Sequence, residues 1–524
     1  MKKKELGGHC LADAVRAAYA RGQTDYSMEP LVWVDENGAP IGKIADGDAA
    51  VFCCRRGERE IELTDAFTAA DFPHFARTRL NDLDFAILTM YHEKYKDLPI
   101  AFAPAKGTHT LAETISRAGK TQLHCAESEK YAHVTYFFNG GNNAAFPHED
   151  DVRIPSPKGV PFDTVPELSL PEVAKEVQRG IQKGYDFIVT NFANGDVIGH
   201  TANAEAKVQC AAAVSRYLAE VVAFATENDY VVAITADHGN LEILYTKDGG
   251  PHVSHTTSPV PFVLIDPRVN GAVSLRDGEL CDVAPTMLHA LHVEQPGEMA
   301  GSTLAPGHNF GDGRKALLII LDGWGIGAED ENNPIFIANT EGYDALLRKY
   351  SFSKLAASGG AVGLQEGKPG NSEAGHTNLG AGRVVMQDDV RLDAAMKDGS
   401  FERNPVFLDL LARAKKRGAR LHLLALLTKK SSHGSVDYPL ALLRMAKEAG
   451  LNDVFVHVIF DGRSTEPGSA PALLEELQQQ MDEIGIGCIV DGVGRGIALD
   501  RDGNYEKIQK AYEAMVLGKG VEYR

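Results

Sequence analysis

LPEVAKEVQRGIQKGYDFIVTNFANGDVIGH, residues 170–200, governs how this chain folds. Its first half repeats apolar residues at helical spacing and stops at Gly184. Its second half, YDFIVTNFAN, is a nearly continuous apolar strand that runs into Asp196 and, four residues on, His200. A helix feeding a buried strand with a carboxylate at its carboxyl end is half of a βαβ unit. The pattern continues on both sides. Upstream, THTLAETISRAG reads as a helix and KYAHVTYFF as a strand; downstream, AEAKVQCAAAVSRYLAEVVAFATEN reads as a long helix, and YVVAITADHGN, PFVLID and KALLIILDGWGIG as strands. Such alternation predicts an α/β fold: a mainly parallel sheet with helices on both faces and functional residues at the carboxyl ends of its strands.

Those strand ends carry unusual chemistry. Asp196 and His200 follow one strand, Asp237 and His238 a second, Asp322 a third, and His255 lies in PHVSHTTSPVP. Any one pair could be a helix cap and a surface imidazole. Together they are hard to explain as packing, because desolvated carboxylates need partners, and metal ions are the economical ones. GKPGNSEAGHTNLGAGR, residues 367–383, adds Ser372 in a Gly-rich turn, where a hydroxyl is presented with small neighbours to a bulky anionic group.

At 524 residues the chain needs two or more cores, and a formal charge of -19 argues against a nucleic-acid surface. Seven scattered cysteines without a CxxC pair indicate neither a disulfide framework nor a zinc cage, which fits a reducing cytoplasm. MKKKELGGHC lacks an apolar segment behind its basic start, and no apolar run looks long enough to span a membrane, so a soluble, cytoplasmic protein is expected. LPIAFAPAK marks a hinge near residue 104. Before it, LADAVRAAYARG reads as a helix and LVWVDENGAPIG as two strands about an Asn-Gly turn; AAVFCC is a strand leading to Arg55, Arg56 and Arg59, a solvated loop or a fork for phosphate or carboxylate. GSTLAPGHNFGDGR, residues 301–314, reads as a linker. From about Gln387 a further α/β unit begins, and His433, Arg463, Arg495 and Arg501 lie on its loops.

LDGWGIG, GNSEAGHTNLGAGRVV, NFANGDVIGH, TADHGN and HTTSPVPF, with EKYAHVTYFFNGG and KAYEAMVLGKGVE, resemble the cofactor-independent (2,3-bisphosphoglycerate-independent) phosphoglycerate mutases of the alkaline phosphatase superfamily. The order differs: the family begins with the LDGWG strand and ends soon after HTTSPVPF, so this chain resembles a circular permutant. The resemblance implies a continuous alkaline-phosphatase-like, metal-binding domain over residues 104–387. It also implies an α/β phosphotransferase-like substrate domain assembled from residues 1–103 and 388–524. Carried over by motif, Asp196, His200 and His255 would hold one divalent ion, and Asp322, Asp237, His238 and Ser372 another, usually manganese in this family and sometimes magnesium, cobalt or zinc. Ser372 would become phosphoserine, with Lys130 beside the leaving oxygen. His433, Arg463, Arg495, Arg501, Arg56, Arg59 and Lys130 would bind a small phosphorylated carboxylic acid under a domain that closes to exclude water. The implied activity is interconversion of 3- and 2-phosphoglycerate by a monomer, with no nucleic-acid or membrane partner.

Three departures fall in the substrate half. The family's DGRD reads Asp461-Gly462-Arg463-Ser464, which loses the carboxylate assigned to proton exchange; its SDGGVHSH gains Lys429 and Lys430; its FNFRPDR reads Cys53-Cys54-Arg55-Arg56-Gly57-Glu58-Arg59. Two other outcomes are therefore carried forward: phosphoryl or phosphonyl transfer on a different acid, and a metal-dependent phosphatase or phosphodiesterase.

Overall fold

The computed structural model describes the chain except residues 1–6, 56–58, 104–106, 270, 430 and 432. Two compact units result, the first from Met1–Pro104 and Arg391–Arg524, the second from Ala105–Val390. Sixteen strands are numbered along the described chain: β1 (Leu31–Trp33), β2 (Ala49–Phe52), β3 (Asp84–Thr89), β4 (Ile100–Phe102), β5 (Gln122–Glu127), β6 (Glu149–Ile154), β7 (Phe187–Phe192), β8 (Tyr230–Thr235), β9 (Val260–Ile265), β10 (Gly278–Glu279), β11 (Lys315–Leu321), β12 (Phe352–Ala356), β13 (Leu421–Leu427), β14 (Val454–Phe460), β15 (Cys488–Gly494) and β16 (Val521–Tyr523).

The second unit has the sheet order β10-β12-β9-β8-β11-β7-β5-β6. It is parallel except around β9, which runs antiparallel to β8 and β12. Strand β11 lies at its centre and is buried from Ala316 to Leu321, the continuous apolar run expected of a strand covered on both faces. The helix Leu170–Lys183 turns Leu170, Val173, Val177 and Ile181 inward and ends at Gly184 in the left-handed region (φ 84°), a conformation only glycine takes cheaply.

In the first unit the order is β16-β1-β15-β14-β13-β2-β3-β4. Strand β13 shows why this sheet also needs cover on both sides. Leu421, Leu423, Ala425 and Leu427 enter one core, and Leu424 and Leu426 enter the other.

Four sequence expectations change. KYAHVTYFF is not a strand: residues 133–137 form a π-helical turn that buries Val134, and Phe138 just beyond it is buried too, so the apolar spacing is helical. The strand is β5, just before it. LVWVDENGAPIG yields one strand and a single Val34–Pro40 bridge, because Pro40 has no N–H to continue a ladder. The segment 301–314 belongs to the second unit: Phe310 and Arg314 are buried, and Arg314 Nη2 donates to Asp266 Oδ1 at 2.5 Å. The helix Ala204–Glu227 is, by length and a mean hydropathy of 1.3, long and apolar enough to cross a membrane. Here its inward stripe of Cys210, Val214, Leu218 and Val221 packs on β8 and on the helices Leu170–Lys183 and Glu341–Lys349, as a core helix does.

Candidate functional site

Parallel neighbours β7, β11 and β8 end side by side, and the residues just beyond those ends are Asp196, Asp322, Asp237 and His238. The helix Ser372–Ala381 starts beside them. Asn371 caps it, its side chain accepting from Ala374 N at 2.8 Å, and Ser372 opens the first turn, where the helix dipole favours negative charge. The approach depends on small residues. A Cβ on Gly375 would lie 2.6 Å from Asp237 O, and one on Gly195 would lie 2.4 Å from Asp322 O.

Lys130 is the hub of the buried cluster. Its Nζ donates to Asp196 Oδ2, Asp322 Oδ1 and Ser372 Oγ, each at 2.7 Å. Burial alone would depress the ammonium pKa, but Asp322, Asp196 and Asp237 outweigh it and hold Lys130 firmly charged. Burial likewise pushes the carboxylates up; Lys130, His200 and His255 nevertheless hold Asp196 well below its ordinary range, and His238, His376 and Lys130 do the same for Asp237. Asp322 is raised, by burial first and by Asp237 second. The Ser372 hydroxyl has His238 Nε2 at 3.0 Å and Asp322 Oδ1 at 3.2 Å.

The histidines are oriented as metal ligands are. His200 donates Nδ1–H to Val253 O (2.9 Å), His255 to Gly370 O (2.9 Å) and His238 to Gly239 O (3.2 Å), which leaves each Nε2 as a lone-pair atom. His200 Nε2 and His255 Nε2 are 3.0 Å apart and lie 3.2 and 3.0 Å from Asp196 Oδ1. Two lone pairs facing each other at that distance repel unless a proton or a metal ion stands among them. Asp237 Oδ2 is buried without a hydrogen-bond partner, a second atom that a cation would satisfy. Asp196, His238 and His255 form one group of converging donors and Asp237, Asp322 and His376 another, a mixed N/O set that fits divalent metal ions.

His238 does not belong to one group alone, since its Nε2 is 3.4 Å from Asp237, 3.6 Å from Asp322 and 3.7 Å from Asp196. His376, which motif reading passed over although it follows Ser372 by one helical turn, has both nitrogens engaged. Nδ1 lies 2.8 Å from Ser372 O, and Nε2 accepts from Asn191 at 3.0 Å, so His376 braces the first turn of the helix Ser372–Ala381 and would have to give up one of these bonds to meet a cation. Asn240, also passed over, donates to Asp196 Oδ1 at 3.0 Å.

The first unit gathers a second polar set. Strands β2, β13, β14 and β15 are parallel neighbours, and their carboxyl ends lead to Arg59, His433, Asp461 and Arg495. Arg495 is buried and donates to Asp461 Oδ1 at 2.5 Å; Arg59 donates to Leu499 O at 3.2 Å. His433 is partly exposed, and Arg463, Ser464 and Arg501 are exposed. Arg55 is tied to Tyr438 and Ser431 O, and Lys429 pairs with Glu476 at 2.9 Å. Arg56 and Lys430 lie outside the described residues.

Two family models match. The Metalloenzyme superfamily takes residues 36–295, and the BPG-independent PGAM N-terminus takes residues 392–524. The 2,3-bisphosphoglycerate-independent phosphoglycerate mutase of Moorella thermoacetica is 44% identical over 295 residues, 56% of each chain. That of Parabacteroides distasonis is 41% identical over 296 residues, 56% of this chain and 58% of its own. The chain thus spans little more than half the length of the curated relatives it matches. A solved structure of Leishmania mexicana phosphoglycerate mutase overlaps 51% of this chain and 52% of its own at 29% identity, with a TM-score of 0.39. Both halves of the molecule are thus similar to known families, residues 36–295 to the Metalloenzyme superfamily and residues 392–524 to the BPG-independent PGAM N-terminus.

Proposed function

We propose that this chain interconverts 3-phosphoglycerate and 2-phosphoglycerate by metal-dependent phosphoryl transfer through a phosphoserine at Ser372. The observation that carries the reading is the Ser372 hydroxyl, buried at a helix N-terminus within 2.7 Å of Lys130 Nζ and 3.0 Å of His238 Nε2. Two divalent ions, manganese foremost with magnesium, cobalt or zinc as substitutes, would be held by Asp196, His200 and His255 and by Asp237, His238, Asp322 and Ser372. They would supply a lowered hydroxyl pKa and neutralisation of the phosphoryl charge.

The protein's own groups do the rest. Lys130 keeps a positive charge on Ser372 Oγ, so the oxygen is stabilised as an anion both when it attacks and when it leaves. The first turn of the helix Ser372–Ala381 offers backbone N–H groups to the phosphoryl oxygens. In the first unit, the phosphotransferase-like part of the proposal, Arg59, Arg495, Arg463, Arg501 and Arg56 supply guanidinium forks for a carboxylate, and His433 a donor or acceptor for a hydroxyl. The second unit is the phosphatase-like, metal-binding part.

Circular permutation is part of the same proposal. It is supported by the N-terminal family model falling at residues 392–524, behind the Metalloenzyme match, and by alignments that end after about half of either chain. One feature favours a second reading, transfer on a different phosphorylated acid: Ser464 stands exposed where the motif's carboxylate would be.

The test is phosphorus NMR of manganese-loaded protein given 3-phosphoglycerate. Appearance of 2-phosphoglycerate supports the mutase. Free phosphate alone supports a hydrolase, and no change points to another acid.

A further inference from the structure

Glu60 is fully buried, and neither carboxylate oxygen has a hydrogen-bond partner among the described residues. Beside it is His433, whose Nδ1 is also buried without a partner among the described residues and lies 3.7 Å from Glu60 Oε1. The two are held together by backbone. Arg55 N donates to His433 O at 2.9 Å, and Cys54 bridges Gly434, so the loop after β13 is stitched to the segment that leads into the helix Ile61–Thr68.

An unpaired buried carboxylate is costly, and a fold that keeps one beside an unpaired imidazole has a use for the pair. Burial pushes the Glu60 carboxyl above its ordinary range; His433 and Arg495 pull the other way, and Cys54 and Tyr91 are the other titratable groups that face it. Arg495 is turned to Asp461 Oδ1. The exposed Ser464 hydroxyl cannot act as a base near neutral pH.

We propose that Glu60 and His433 form a carboxylate–imidazole dyad that handles the hydroxyl proton of the acid bound in the first unit. Glu60 is the positioning residue: its Oε1, 3.7 Å from His433 Nδ1, closes to accept the Nδ1–H and so fixes the tautomer. The ring's other nitrogen then takes the proton as the hydroxyl O–H bond breaks, and the freed electron pair bonds the oxygen to phosphorus as the bond from phosphorus to Ser372 Oγ breaks and that oxygen leaves with its electron pair. In the reverse direction the imidazolium returns that proton to the departing alkoxide. The role rests on the mutase reading above.

The test pairs Glu60→Gln with Glu60→Asp in the full-length, manganese-loaded protein. With 3-phosphoglycerate, Glu60→Gln is expected to lower kcat by about 100-fold, to leave KM within twofold and to change the shape of the kcat–pH profile; Glu60→Asp recovers part of the rate. Unchanged kcat overturns the dyad, as does a fall in which kcat and KM change together and the profile keeps its shape. If the wild type itself does not convert 3-phosphoglycerate, the mutase reading fails, and the dyad is judged on a binding-independent signal, the nitrogen-15 chemical shifts that report which His433 ring nitrogen carries the proton. Glu60→Gln must move the proton between the two ring nitrogens; an unchanged tautomer overturns the dyad.

Discussion

The buried pair His422–Asp48 should make the first unit acid-labile above the range where carboxylates titrate. His422 lies on β13 with Nε2 3.1 Å from Asp48 Oδ2 and Nδ1 2.9 Å from His457 Nε2, and His457 Nδ1 reaches Asp491 Oδ2 at 2.6 Å. Burial pushes the His422 imidazolium down to about 4; Asp48 works the other way, and His457 and Arg420 add to the depression. A folded value below the unfolded one means that, as pH falls through 6.5, the unfolded chain takes up a proton that the folded chain refuses until about pH 4. Stability is therefore intact above 6.5 and drains away below it by about 1.4 kcal/mol per pH unit, roughly 3 kcal/mol in all. Asp48, held below its ordinary range, loses its contribution only under more acid conditions, so it does not blur the window. Glu60 and Glu62 are raised by burial and act with the opposite sign, which is why the comparison must be with a variant. The assay is urea unfolding followed by Trp33 fluorescence in a Trp324→Phe background, which leaves a single indole and places it in the first unit. Wild-type stability should fall by roughly 3 kcal/mol between pH 6.5 and 4 relative to His422→Gln. Parallel pH curves for the two proteins would refute the reasoning.

Ser372→Ala should abolish transfer while calorimetry still detects manganese binding, because the Asp and His donors remain; retained turnover would sink the phosphoserine mechanism. Lys130→Met removes the ammonium from three partners at 2.7 Å and should lower kcat by about 10²–10³-fold with folding intact by circular dichroism. Gly375→Ala drives a methyl to within 2.6 Å of Asp237 O, so calorimetry should show weaker metal binding and stability lower by about 1–3 kcal/mol. Arg495→Lys loses the fork that meets Asp461 and should raise KM for 3-phosphoglycerate by about 10-fold or more in steady-state kinetics.

The two polar clusters differ in how far local sequence reveals them. Asp196, Asp237 and Asp322 were legible because each follows a long apolar run, and in a parallel sheet all such runs end on one edge. Three carboxylates at three parallel strand ends meet whatever the loops do, and Ser372, whose Gly-rich turn alone would more often serve only the backbone, stood out because of those Asp and His motifs. His376 and Asn240 sat inside quoted motifs, but their parts depend on which ring nitrogen or amide faces which carbonyl, and spacing does not encode that. KYAHVTYFF shows the converse error, since aromatic and β-branched residues read as strand until tertiary packing selects the 134/138 face.

Glu60 marks the limit. In GEREIELTDAF it is one acid among several on an amphipathic-looking helix start, and nothing in its neighbours distinguishes it from Glu58 or Glu62. Its burial comes from β2 and β13 pairing across about 370 residues of chain, which brings Cys54 to Gly434 and lays His433 over it. The same pairing explains why the departures in the substrate motifs were read as losses. Ser464 is seen in its own motif, whereas a carboxylate supplied from the far end of the chain becomes visible only when the sheet is assembled. Charge that local reading counted as gained proves to be spent elsewhere: Lys429 is paired to Glu476 at the surface, and Arg55 is consumed by Tyr438 and a backbone carbonyl. A site proposed at four strand ends is best judged by which of its polar atoms are left without protein partners, and by that measure Glu60, which no motif put forward, stands beside His433, Asp461 and Arg495.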